Sequence, residues 1–333
     1  MSKEQRGRPG PLIIIGGAED KLGPRTILSK FVTLAGGASA KIVVVSTASA
    51  LGDQATDVYR VLFTQLGAAE VRGLRPVTRD ECDDDQVVSA MDGATAVFMT
   101  GGNQVRLSSV VGGTRLGREI IALHEAGGVV AGTSAGASAM STHMVAFGAS
   151  GDVPKQRMVQ LSAGLGLVEG VIIDQHFGQR NRIGRLLSLV AFSPSQIGLG
   201  LDEDTAAVIT EGRVLEVLGR GTVLIVDGSD VESNAFEAKR SEPLMVSRAI
   251  LHALPQGHRF DLVERRMLPR LVAATPPRRR GLVRSDAQLT WPEDVELDPR
   301  MVRRMAAEGA DDAVVQRNAR RRAQRREQEG EAG

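Results

Sequence analysis

"VVAGTSAGASAM", residues 129–140, sets a serine among small residues directly after an apolar, β-branched run. A strand that turns abruptly into a helix accepts only glycine or alanine around the apex, because a Cβ on either side collides with the crowded backbone. The apex residue, Ser134, is then pushed out at the strand's carboxyl end, beside the first unpaired amides of the following helix. A nucleophile belongs at such a place. Gly-x-Ser-x-Gly alone carries little weight in a chain with 38 glycines, so the strand before it and the small helix-compatible run after it are what support this assignment.

Outward from this elbow, short β-branched runs alternate with amphipathic segments. "PLIIIGG", "AKIVVVSTAS", "AEVRGL", "ATAVFMTGG", "GGVVAGTS", "GVIIDQHF" and "QIGLGLDE" read as strands, with helices around residues 22–35, 53–66, 83–91, 104–110, 115–126 and 180–191. That rhythm predicts an α/β fold, a mostly parallel sheet with helices on both faces. The polar ends of the strands should line one crevice. After residue 205, "AAVITEGRVLEVLG" has Glu211-Gly212 between two alternating runs and predicts an appended β-hairpin, while "HRFDLVERRML" reads as a last strand near residue 269.

A serine hydroxyl needs a base within reach. Of the five histidines, His124 lies in an amphipathic helix, His143 follows the elbow too far along, and His252 and His258 fall late in the chain. His176 is different: "VIIDQHF" runs from an apolar strand straight into polar residues at an expected carboxyl end, on the same edge of the sheet as Ser134. An acid that fixes the imidazole tautomer is expected in "GLGLDEDTA", which holds Asp202, Glu203 and Asp204. The order Ser, His, acid differs from that of α/β-hydrolases and points to the class I glutamine-amidotransferase-like sheet, where the elbow nucleophile is followed by His and then Glu. The amides of Ala135 and of Gly102 in "VFMTGGNQ" are the expected oxyanion donors.

"IIIGGAEDK", "FMTGGNQ", "GTSAGASAM", "DQHFGQRNRIGRL" and "GLGLDEDTA" together resemble the cyanophycinases, in the serine-peptidase family that also contains α-aspartyl dipeptidase. The resemblance spans about residues 11–269 and is most specific in the "DQHF" block with its three arginines. It implies Ser134 as nucleophile, His176 as base and Glu203 as orienting acid, with Gln104, Asp174, Gln175, Arg180, Arg182 and Arg185 at substrate-cleft positions. It implies hydrolysis of the α-aspartyl backbone of cyanophycin to β-Asp-Arg dipeptides, no metal or organic cofactor, and a homodimer. Asp174 suits a guanidinium of the substrate, while the arginines would meet substrate carboxylates or order the cleft wall. Asn103 departs from the family's loop, which usually has an acidic residue there. A peptidase for short aspartyl peptides, and a non-catalytic binding protein on the same fold, are the alternatives.

The remaining features exclude more than they suggest. With 41 basic and 40 acidic residues, net +1, the 333-residue chain has no global charge that recruits nucleic acid or membrane. Its one cysteine, Cys82, sits among carboxylates that would raise the thiol pKa, so no disulfide framework, Cys-rich metal site or thiol nucleophile is expected. "IIIGGAEDKLG" lacks both the dinucleotide fingerprint and the P-loop ending. No run of about 18 apolar residues occurs and "MSKEQRGRPGP" lacks the apolar core of a secretory signal, so a cytoplasmic protein is expected. From "ATPPRRRG" onward the chain is charged and poor in large apolar residues, which predicts a catalytic domain over 11–269 and a flexible extension over 270–333, with a short helix over 298–308. Six arginines after residue 316 face three glutamates with no aromatic residue between them, an unpromising pattern for nucleic acid.

Overall fold

The computed structural model describes residues 8–271 together with Arg300 and Arg303, so the expected extension and its helix fall almost wholly outside the described residues. The first half of the chain alternates strand and helix as its periodicity predicts. The elements are β1 (Leu12–Ile15), α1 (Thr26–Leu34), β2 (Lys41–Val45), α2 (Asp53–Gln65), β3 (Glu70–Leu74), α3 (Asp85–Ser89), β4 (Ala96–Met99), α4 (Gln104–Val111), α5 (Arg115–Glu125), β5 (Val129–Thr133) and α6 (Ala135–Ser138). A hairpin of β6 (His143–Gly148) and β7 (Val159–Ala163) follows, then β8 (Val171–Asp174), α7 (Ile183–Phe192) and β9 (Ile197–Leu201). The last strands are β10 (Thr205–Thr210), β11 (Val214–Gly219), β12 (Thr222–Asp227), β13 (Glu232–Ser233), β14 (Val246–Ser247), β15 (Ile250–Pro255), β16 (Arg259–Asp261) and β17 (Arg266–Leu268).

Among the described residues, nine strands form the main sheet in the order β17-β16-β11-β10-β1-β5-β4-β2-β3. The five from β1 to β3 are mutually parallel, and β10 adds antiparallel to β1. Parallel strands covered on both faces bury every side chain, and β1 shows how. Leu12 and Ile14 point into one apolar cluster with Leu107, Val111, Leu116 and Ile120 of α4 and α5. Ile13 and Ile15 point into the other, with Phe31 of α1 and Tyr59 and Phe63 of α2. Phe31, Tyr59, Phe63 and Phe98 pack there with ring centroids 4.5–5.7 Å apart.

Two expectations need correction. β8 and β9 do not extend the main sheet: they lie in a second sheet of order β15-β12-β9-β8. The reason is that β10 already occupies the free edge of β1, through four paired residues from Leu12↔Ile209 to Ile15↔Ala206. Only three residues separate β9 from β10, so the chain crosses from one sheet to the other at residues 202–204, and Ile173, Leu199 and Leu201 share a core with Ile14 and Val130. His176 and Ser134 therefore do not sit on one sheet edge. The second correction concerns "HRFDLVERRML", which is the β16–β17 hairpin rather than one strand, turning near Arg265 at φ +50°. The β10–β11 hairpin is as expected, closed by Glu211 and Gly212 at φ +54° and +68°.

Candidate active site

The elbow forms because its small residues leave no room for anything else. Ser134 holds φ +52° and ψ −110°, a strained conformation for a residue with a side chain, between β5 and α6. A Cβ on Gly132 would fall 2.4 Å from the Gly136 carbonyl oxygen, and one on Gly136 would fall 2.3 Å from that of Met99. Contact distances of that kind are forbidden, so the two glycines let the helix start directly on the strand. α6 lasts only one turn before the chain turns toward β6, where His143 is exposed.

His176 reaches this elbow from the loop after β8. Its Nε2 lies 2.9 Å from Ser134 Oγ, and its Nδ1 lies 2.7 Å from Glu203 Oε1, in the crossing between the two sheets. A carboxylate only accepts, so Nδ1–H donates to Glu203 and Nε2 is left to accept the Ser134 hydroxyl proton. Burial lowers the His176 pKa from its ordinary value. The Glu203 hydrogen bond opposes that fall, whereas the charges of Arg180 and Arg182 add to it. The bond from His176 holds the Glu203 carboxyl below its usual range, against partial burial. The resting pair is thus a neutral imidazole beside an ionised carboxylate, as a general base requires.

The expected oxyanion donors, Ala135 and Gly102, directly follow Ser134 and Gly101 in the chain. Ala135 opens α6, where backbone amides lack an intrahelical acceptor. Gly102 has φ +132°, and a Cβ there would fall 2.1 Å from the Ala48 carbonyl oxygen. Its neighbour Gly101 faces the nucleophile: a Cβ on it would lie 3.9 Å from Ser134 Oγ. Asn103, where an acidic residue is usual, caps α4 by accepting the Arg106 N–H at Oδ1 (2.9 Å). Asparagine does this as well as aspartate, so the departure preserves the local fold.

The residues expected in the substrate cleft separate into two groups. Asp174 is 1% exposed and its oxygens accept from buried arginines of its own chain: Arg185 Nε donates to Oδ2 at 2.6 Å, Arg185 Nη2 to Oδ1, and Arg182 Nη1 to Oδ1 at 3.2 Å. Arg182 also donates to the carbonyl and side-chain oxygens of Gln175. Gln104 donates from Nε2 to the carbonyls of Val145 and Ala146, each at 3.1 Å, tying α4 to β6. The expectation that Asp174 faces a guanidinium of the substrate is thus corrected: two internal guanidiniums already fill that role. Of the three arginines, Arg182 and Arg185 are buried while Arg180 is half-buried, its charge acting on both His176 and Glu203. Cys82 is buried far from this chemistry in sequence, its thiol pKa pushed up by burial.

The profile of Peptidase family S51 matches residues 12–217. The chain belongs to Peptidase family S51. Curated relatives include the cyanophycinase of Nostoc sp. strain PCC 7120, 42% identical over 78% of this chain and 87% of that protein. The cyanophycinase of Geminocystis herdmanii is 39% identical over 75% of this chain and 93% of that one. Among solved structures, a peptidase from an acI-B1 Actinobacterium superposes with a TM-score of 0.54 at 24% identity, over 74% of this chain and 98% of its own, a likeness of fold. No helix among the described residues of this S51 peptidase is long and apolar enough to cross a membrane, and no group of three or more His, Cys, Asp or Glu among them is placed to hold a metal.

Two residues around the site of the S51 peptidase hold roles that the sequence does not assign: Asp202, a candidate for the acid, and Gln179. Asp202 accepts from Gly178 N–H at Oδ1 (3.0 Å) and from both the amide and hydroxyl of Thr222 at Oδ2, pinning the crossing turn to the loop that carries His176. Gln179 Oε1 accepts the Glu203 N–H at 3.0 Å. The sequence signal was present in the polar density of "GLGLDEDTA" and "DQHFGQR", but nothing in it says which carboxylate turns inward.

Proposed function

We propose that this S51 peptidase is a serine-type cyanophycinase in which Ser134, His176 and Glu203 form the catalytic triad. The observation that carries this is the continuous chain of hydrogen bonds from Ser134 Oγ through both imidazole nitrogens to Glu203, 2.9 and 2.7 Å long. The hydroxyl attacks the carbonyl carbon of an α-aspartyl backbone bond while Nε2 takes its proton; Glu203 stabilises the imidazolium that results. The amides of Ala135 and Gly102 receive the developing oxyanion. The imidazolium then protonates the leaving amine, and a water attacks the acyl-enzyme by the same route in reverse.

The relatives named above supply the substrate class: a polyaspartate backbone whose β-carboxyls carry arginine. In this reading Arg180, half-buried and with its charge acting on His176, meets a substrate carboxylate. Asp174, Gln175, Arg182 and Arg185 serve that cleft from behind as a buried, mutually bonded wall, and Gln104 holds β6 beside it. The proposal includes a homodimer, for which the exposed Phe192, Phe236 and Met245 offer apolar surface; light scattering reads the mass directly. The catalytic assignment is tested by treating the protein with a fluorophosphonate. The expected result is stoichiometric loss of cyanophycin-clearing activity with the adduct on the Ser134 peptide. Full activity after labelling, or an adduct elsewhere, would contradict it.

A further inference from the structure

The triad is assembled from two sheets that share no hydrogen-bond ladder between β5 and β8. One loop nevertheless touches every carrier. β1 ends at Ile15, and residues 16–20, Gly-Gly-Ala-Glu-Asp, follow it. Toward the elbow, the Ser134 N–H donates to the Ile15 carbonyl at 3.0 Å and Thr133 Oγ1 donates to Glu19 Oε2 at 2.5 Å. Toward the base, the His176 N–H donates to the Gly16 carbonyl at 2.8 Å. The imidazole itself lies on Gly17, at φ +101°, where a Cβ would fall 2.3 Å from Cε1 and 2.5 Å from Nε2. Toward the acid, the Asp204 N–H donates to the Gly17 carbonyl at 2.9 Å, and the Asp20 N–H donates to Asp204 Oδ1 at 2.8 Å.

Glu19 is not an ordinary loop carboxylate. It is 3% exposed, paired with the equally buried Lys21 at 2.8 Å, and accepts the Tyr59 hydroxyl at 2.5 Å. Burial penalises its charge, but the Lys21 ammonium and the hydrogen bonds from Lys21, Thr133 and Tyr59 outweigh that and hold its pKa below the usual carboxylate value. A buried ion pair is costly to assemble from water, and one that spends an acceptor on the residue next to the nucleophile does more than join two segments.

We propose that residues 16–20 are the positioning device of the triad: Gly17 seats the imidazole at bonding distance from Ser134, and Glu19, acting through Thr133, fixes the elbow. The inference rests on the triad assignment above. Its physical ground is tolerance. A slip of one sheet past the other by about 1 Å costs on the order of 100-fold in rate, because reaction depends on near-contact geometry, and the loop is the part bonded to elbow, base and acid turn alike.

The test compares Gly17→Ala, Thr133→Val and Thr133→Ser with wild type and with Ser134→Ala, measuring kcat, KM, the fluorophosphonate labelling rate and the folded fraction. Folded Gly17→Ala should lose about 100-fold in kcat with KM changed less than about threefold, and labelling should slow in parallel. Thr133→Val keeps shape but loses the donor; its kcat should fall roughly tenfold, and Thr133→Ser, which keeps the hydroxyl, should recover most of it. If Gly17→Ala does not fold, the Thr133 pair decides. Wild-type kcat in folded Gly17→Ala, or equal activity in the Val and Ser variants, would overturn the inference. Turnover surviving in Ser134→Ala would instead overturn the triad.

Discussion

At Ser134 the backbone is strained and the side-chain hydroxyl lies 2.9 Å from His176 Nε2. Ser134→Ala should therefore remove at least about 1,000-fold of kcat while leaving thermal melting nearly unchanged, since alanine fits the same turn. His176 makes a prediction about pH. Its pKa lies below the ordinary 6.5, burial being the main cause; only the neutral imidazole accepts a proton, so activity is lost as pH falls through that lowered value. The acid limb of kcat/KM should have its midpoint below pH 6.5, and a midpoint above it would contradict the burial argument. Asp174 belongs to stability. Asp174→Asn leaves two buried guanidiniums without their counter-charge and should cost about 3–5 kcal/mol in denaturant unfolding, as breaking a buried ion pair does. Ser134 and His176 stood out as candidates because each stands where an apolar run meets polar residues, whereas that pattern left the acid open among Asp202, Glu203 and Asp204, and only the family resemblance singled out Glu203. The seat on Gly17 was not legible, because it joins segments far apart in the chain. The pairing of Asp174 with Arg182 and Arg185 was not, because a polar block nearby in sequence does not say whether its charges face each other or a ligand.

Among the elements, the strand-to-helix junction at β5 and α6 is the most sharply determined. Gly132→Ala would place a methyl 2.4 Å from the Gly136 carbonyl oxygen, forcing α6 away from the strand. It should cost about 1–3 kcal/mol, the range for overpacking, and should lower kcat with it, as melting and turnover of one preparation would show. Strands were readable from β-branched runs because parallel strands are buried on both faces, as the two faces of β1 illustrate. Sheet membership was not readable in the same way. β8 and β9 have the composition of central strands, and only the antiparallel seating of β10 on β1 decides that they start a second sheet. The β6–β7 hairpin escaped for another reason: its runs are half exposed, and a register shift between Val145 and Phe147 breaks the alternation.

For the molecule as a whole, four apolar clusters among the described residues are built from residues 12–262, and the sequence after residue 271 is charged and poor in large apolar residues. Truncation after residue 271 should accordingly leave melting and the cleavage of soluble substrate unchanged; an unfolded or inactive product would show that the charged extension completes the body or an interface. The larger claim is that the molecule cuts the backbone of an arginine-bearing polyaspartate and leaves its branches intact. It is tested most directly by mass spectrometry of the primary soluble products released from a cyanophycin suspension by wild-type protein, with Ser134→Ala as the blank. The account predicts a dipeptide of aspartate with arginine on its β-carboxyl, formed only by the wild type. Free arginine as the first product, or cleavage confined to simple aspartyl dipeptides, would contradict it.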